Sequence, residues 1–263
     1  MLRTIVLLLA VALCVSAEDR LQEKENALGA QLASQVRKQT TPLNLPDAQS
    51  YIEALGRNLA PYIPAPGLWT FSVVNEKEGG STCEPLALPG GYVFVPVQLI
   101  LSAKNEAELA GMLAHAMAHV VQAQYLHRMP VQQLATIPLI FFDALLGDDQ
   151  IVPVSLLPEQ RQHERDADET AVHAMAGAGY KPHTLLEYIS RMQADVDDRY
   201  SRLPPKPERL QNLTAAIEST ATPQPSVESN EFTTMQQEIR IHQARLNATE
   251  PPRQPPSLLH PAK

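Results

Sequence analysis

The chain has 263 residues and a formal charge of -8, with 44% apolar residues, 5% aromatic residues and 23 prolines. That length suits one substantial domain, or at most two small ones. The acidity, with no basic patch or arginine-rich run to offset it, excludes a nucleic-acid binder.

The first residues bear on the compartment. Arg3 gives a short positive start, Thr4 to Val15 is apolar, and Val15-Ser16-Ala17 is the small-residue pattern that signal peptidase prefers. Residues 1–17 therefore read as a signal peptide, and the mature protein as exported, periplasmic or secreted. The apolar run is short for a bilayer, which makes an uncleaved anchor the lesser reading. Cleavage near Ala17 removes Cys14 and leaves Cys83, so an intramolecular disulfide or a thiolate metal cluster is excluded. Cys83 itself reads as a small buried hydrophobe in preference to a reactive thiol.

From Asp19 to Lys38, Leu21, Leu28, Leu32 and Val36 recur at helical spacing. Asp47 reads as the N-cap of a second helix, whose Tyr51, Ile52, Leu55, Leu59 and Ala60 share a face, and Pro61 to Pro66 breaks it. Trp69 to Asn75 reads as a strand, and Leu86 to Val97 as two short strands about a Pro89-Gly90-Gly91 turn. Asn105 or Ser102 caps a long apolar helix from about Glu106 to Gln124.

Leu134 to Leu146 is very apolar but too short to span a membrane. It reads as a buried or lid-like helix, or as a surface that touches a membrane or an envelope protein. Pro158 opens a helix to about Ala176, closed by Gly177-Ala178-Gly179. Further helices are expected from Pro182 to about Val196, within Pro204 to Thr220, and around Glu231 to Leu246. The composition shift at Ala221 sets residues 221–263 apart as a Pro-rich tail holding that last helix, after a main domain over 18–220.

His115 and His119 are four residues apart in the most apolar helix, a spacing that puts two imidazoles on one helical face, close enough to share a tetrahedral ion. Eight histidines make one such pair weak evidence alone. The surroundings strengthen it. Ala87 to Val121, with Pro89-Gly90-Gly91 and Asn105-Glu106 to Leu109-Ala110, resembles the strand-turn-helix of metallopeptidase family 48. That family includes HtpX-like membrane proteases and soluble periplasmic zinc enzymes. Gln160 to Pro182 resembles the family's E-x-x-A-D helix and its AGY-P turn.

The resemblance covers roughly residues 20 to 220 and implies a zincin-like α+β fold, mainly helical, with the active-site helix beside a small antiparallel sheet. It implies one zinc ion per chain held by His115, His119 and Glu164, with Asp168 orienting a ligand. It also implies peptide-bond hydrolysis by zinc-activated water, on unfolded or extended polypeptide laid along the strand that ends at Pro89, Gly90 and Gly91.

The chain departs from the family's H-E-x-x-H motif, because Ala116 stands where the general-base glutamate belongs. That glutamate is not a ligand, so its loss spares the metal site. A positioned acid–base nonetheless supplies about 10²- to 10⁴-fold in rate, so hydrolysis should be weak or absent. Glu84-Pro85 stands where the family has an Asn before the turn, and Leu203-Pro204 where it has a His-Pro pair. His163, Asp166 and Glu169 are near Glu164 in sequence but point away from it on a helix. Three functions follow: an impaired exported zinc metalloendopeptidase; a non-catalytic zinc-dependent peptide binder or chaperone-like envelope protein; or, more remotely, a structural protein in which zinc only braces two helices.

Overall fold

The computed structural model describes residues 22–65, 68–76, 83–123, 155, 157–194, 201–220 and 230–249. The signal segment, the 134–146 stretch and the end of the tail lie outside the described residues.

The fold is α+β and mainly helical. Helix α1 (22–39) presents Leu32, Ala33 and Val36 inward, the expected stripe, and leads into β1 (Thr40–Pro42). Helix α2 (Pro46–Leu59) begins earlier than the sequence implied. Leu45 is its N-cap and Pro46 opens the helix, so Asp47 does not cap but places its charge in the first turn, where the positive end of the helix dipole favours it.

Strands β2 (Thr70–Glu76), β3 (Leu86–Leu88) and β4 (Tyr92–Pro96) complete a four-stranded sheet in the order β1-β2-β4-β3. The expected antiparallel sheet needs one correction: β2 and β4 run parallel, Phe71 opposite Val93 and Val73 opposite Val95, while the outer pairs are antiparallel. β4 folds back from β3 through the Pro89–Gly91 turn and inserts between β3 and β2. It can occupy that central place because both of its faces are apolar, as the unbroken run Tyr-Val-Phe-Val shows. Val93 and Val95 face the main core with Phe71 and Val73, whereas Phe94 faces α1 together with Val74, Leu86 and Leu88.

The sheet is thus covered on both sides, and one glycine permits the closest contact. A Cβ on Gly29 of α1 would lie 1.8 Å from the carbonyl oxygen of Pro89, so only glycine lets the helix rest on the turn. The turn itself needs Gly90 and Gly91, whose φ angles are 75° and 79°, a region that side chains disfavour.

After the short α3 (Val97–Ser102), helix α4 (Glu106–Ala123) crosses the sheet. The side chain of Asn105 accepts from Glu108 N–H at 2.9 Å and so caps α4, while Glu108 accepts from Lys104 N–H at 2.7 Å, close to a capping box. Helix α5 (Leu157–Gly177) packs along α4. It ends in a Schellman motif, with Tyr180 N–H bonded to Met175 C=O and Gly179 at φ 86°, as its glycines predicted.

Helices α6 (His183–Met192) and α7 (Lys206–Ser219) pack against α4 and α5. α6 is shorter than expected, because Gln193 is already extended. The last helix, α8 (Asn230–Thr249), is assigned to the tail by composition, yet it docks on α2 and α3. Its Phe232, Met235 and Ile239 enter the main core, and Gln236 donates to the carbonyls of Ile100 and Ala103 at the end of α3. Cys83 is half-buried, not buried, and its carbonyl accepts from the Tyr188 hydroxyl. Among the described residues, no helix is long and apolar enough to cross a membrane.

Candidate metal centre

His115 and His119 lie one turn apart on α4, and that helix is fixed at its start by several ties. The hydroxyls of Tyr51 and Tyr180 both donate to Glu106, the latter at 2.6 Å. Arg191 of α6 donates to both oxygens of the buried Glu108. Leu109, Leu113 and Met117 anchor the rest of α4 in the core, which leaves the two imidazoles facing α5.

Their rings stand nearly perpendicular, and the two Nε2 atoms are 3.1 Å apart. Glu164 reaches them from α5, with Oε2 3.4 Å from His115 Nε2 and Oε1 3.5 Å from His119 Nε2. Tetrahedral zinc with nitrogen ligands at about 2.0–2.1 Å would hold its donors about 3.3 Å apart. The triangle has that size, so the three side chains fit such an ion, and among the described residues they form the one group of this kind. His115 is buried, while the side chains of His119 and Glu164 are 25% and 18% exposed, so the triangle opens along its His119–Glu164 edge.

Behind the triangle, Asp168 lies one turn beyond Glu164. Its Oδ1 is 2.9 Å from His115 Nδ1, an ion-pair distance, but off the line that a hydrogen bond to the ring would take. Asp168 is in turn held by Arg209 of α7, which donates through Nε at 2.7 Å and through Nη2 at 2.9 Å. The same guanidinium comes within 3.6 Å of Glu164 and also donates to Gln193.

These charges set one another's ionisation. Burial alone pulls the His115 imidazole down, but the neighbouring carboxylates of Asp168 and Glu164 overrule it and hold the group at about 9. Burial pushes Glu164 up, and His119, His115 and Arg209 together outweigh it, keeping this carboxyl far below its usual range. Asp168 is likewise depressed, against its burial, by Arg209 and His115.

The structure therefore brings His115, His119, Glu164 and Asp168 together. Ala116 is buried at 1% exposure and offers only a methyl group. Pro89 and Gly91 are buried in the β3–β4 turn, with Gly29 of α1 resting on Pro89. Asp166 accepts from Gln162, and Glu169 pairs with His173 on the outer face of α5, so both carboxylates are engaged away from the triangle. Leu203 is half-buried in a loop that Arg161 grips through the Ser201 carbonyl.

Arg209 is the residue that reading the sequence missed. A signal was present, since Arg209 lies four residues before Leu213 on the buried face of α7. An arginine on that stripe needs a buried anion, but periodicity does not say which.

Residues 42–217, more than half of the chain, match the sequence model of Peptidase family M48. The chain belongs to that family. Among curated members, it is 26% identical over 202 residues to the putative beta-barrel assembly-enhancing protease of Vibrio cholerae, covering 70% of this chain and 40% of that protein. The beta-barrel assembly-enhancing protease of Escherichia coli K12 is 24% identical over 203 residues, with the same coverage. The mitochondrial metalloendopeptidase OMA1 of Saccharomyces cerevisiae is 29% identical over 131 residues, 47% of this chain and 37% of that protein. The chain thus spans about 40% of the length of the first two relatives. As a member of the metallopeptidase family 48, it carries in His115, His119 and Glu164 a group able to hold a metal ion.

Proposed function

We propose that this chain is an exported, zinc-binding member of the metallopeptidase family 48 whose peptide-bond hydrolysis is crippled by Ala116. The observation that carries the reading is a complete donor triangle directly beside an alanine. His115, His119 and Glu164 would hold one zinc ion, with Asp168 bracing His115 and Arg209 bracing Asp168. Zinc there would supply Lewis-acid polarisation of a peptide carbonyl and of a water molecule.

The remaining work falls to the chain, and here it is deficient. Moving a proton from water to the departing amine needs an acid–base side chain within hydrogen-bond reach, and an alanine at position 116 supplies none. Asp166 and Glu169 of α5 are turned to solvent, and Asp168 is held by Arg209. Export rests on the signal-like residues 1–17, and a polypeptide ligand on the family and on relatives named for beta-barrel assembly.

A second reading keeps the zinc and the polypeptide but not the reaction: a non-catalytic, zinc-dependent peptide-binding or chaperone-like envelope protein. Ala116 favours it. Proteolysis of an unfolded protein by the zinc-loaded chain separates the two. The non-catalytic reading expects no cleavage from the wild type and cleavage from Ala116→Glu. Clear wild-type cleavage, abolished by a chelator, would refute it.

A further inference from the structure

Among the described residues, the charges at the triangle do not balance once a divalent ion is counted. Glu164 and Asp168 bring two negative charges and Arg209 returns one positive. The two imidazoles bind a metal as neutral donors. A divalent ion added to this set leaves one positive charge uncompensated. With a glutamate at position 116 the same set would be neutral.

The surplus is not delocalised into the fold. Arg209 and Asp168 have side chains 3% and 4% exposed and are spent on each other. Arg165, the next cation on α5, is paired with Glu208 at 2.9 Å. Glu84 is the acid whose field reaches Arg209 from outside, but it is exposed, and solvent screens it. The excess charge therefore sits at the ion, where bound cations are the largest local charges of a site. Among the described residues, the His119–Glu164 edge is the exposed side of the triangle and the way to it.

We propose that this edge takes a carboxylate as the remaining ligand of the metal, the C-terminal or side-chain carboxylate of an extended polypeptide. The inference rests on the zinc reading above and deepens it by naming the ligand chemistry. An intact H-E-x-x-H site sets a negative charge beside the open position and repels such a group. Ala116 removes the repulsion. The substitution that costs hydrolysis thereby converts the site into a receptor for peptide acids.

The test uses the full chain loaded with zinc, or with cobalt(II) for its visible spectrum, after metal content is measured. The probes are an acetylated tripeptide as free acid, the same peptide as C-terminal amide, and acetate. The free acid should bind about tenfold or more tighter than the amide, because a full charge meets a poorly screened cation, and it should shift the cobalt bands. Ala116→Glu should erase that preference, and Ala116→Gln, similar in size but neutral, should weaken it far less.

Equal affinity for acid and amide, or cobalt bands unmoved by the acid, would overturn the proposal in the wild type without recourse to any variant. Acetate binding as tightly as the peptide acid would overturn the polypeptide assignment. A chain that takes up neither metal overturns the zinc reading itself, whereas a metal-loaded chain indifferent to carboxylates overturns this inference alone.

Discussion

Arg209 and Asp168 are 41 residues apart in the chain and form a two-pronged ion pair, 2.7 and 2.9 Å long, with almost no exposure to solvent. The pair ties α7 to α5, and through Asp168 it reaches His115 on α4. Three helices therefore meet at one charge network behind the His115–His119–Glu164 triangle.

Removing one partner of such a pair leaves the other charged and buried, which costs about 3–5 kcal/mol. Arg209→Met should lower the unfolding free energy by that order in urea denaturation. Arg209→Lys should recover only part of it, since an ammonium cannot reproduce the fork. The double variant Arg209→Met, Asp168→Asn should be less destabilised than the sum of the singles. Strict additivity would show that the two residues do not act as a pair.

The ligands and their brace should rank distinctly in metal affinity. Zinc analysis of the purified chain should give about one ion. His115→Ala, His119→Ala and Glu164→Gln should each lose it, while Asp168→Asn should retain zinc with affinity weakened about 10- to 100-fold. Full zinc occupancy in Glu164→Gln at low free zinc would remove Glu164 from the ligand set.

The metal-free protein should lose stability as pH rises. Despite its burial, His115 is raised to about 9 by Asp168 and Glu164, against about 6.5 in an unfolded chain. Its contribution is complete below about pH 6.5 and gone above about pH 9. Glu164 and Asp168 are depressed, so theirs is present above about pH 4.5 and lost on acidification. Zinc must displace the His115 proton, so its apparent affinity should climb over the same interval. Melting curves from pH 5 to 9.5, with chelator and with zinc, should diverge with increasing pH. Parallel curves would contradict the assigned His115 ionisation.

Helix α8 should behave as part of the domain. Phe232 is buried against Tyr51, with ring centroids 6.4 Å apart. Phe232→Ala should destabilise the whole protein by about 3–5 kcal/mol in a single transition. A separate early transition, with the main one unmoved, would mark α8 as an independent appendage.

Much of the fold was legible because its signals are local. The stripe of Leu32 and Val36, the glycines after α5 and the Pro-Gly-Gly turn each act within a few residues, and each is where the sequence put it. Of the two caps the sequence offered for α4, Asn105 and Ser102, the structure uses Asn105. The first turn of α2 was misread because Pro46 supplies a better helix start than Asp47, and both signals were adjacent.

The pairing of His115 with His119 is likewise written in the sequence, since four residues on a helix fix two side chains on one face. So is the alanine at position 116, between the two histidines. What the tertiary structure alone decided is everything that depends on how separate segments meet. It set β4 parallel to β2, docked the compositionally tail-like α8 on the core, and chose Arg209 as the partner of Asp168. Periodicity reports which face of an element is buried. Only packing settles what that face is buried against, and at this site that choice determines how the charges add up.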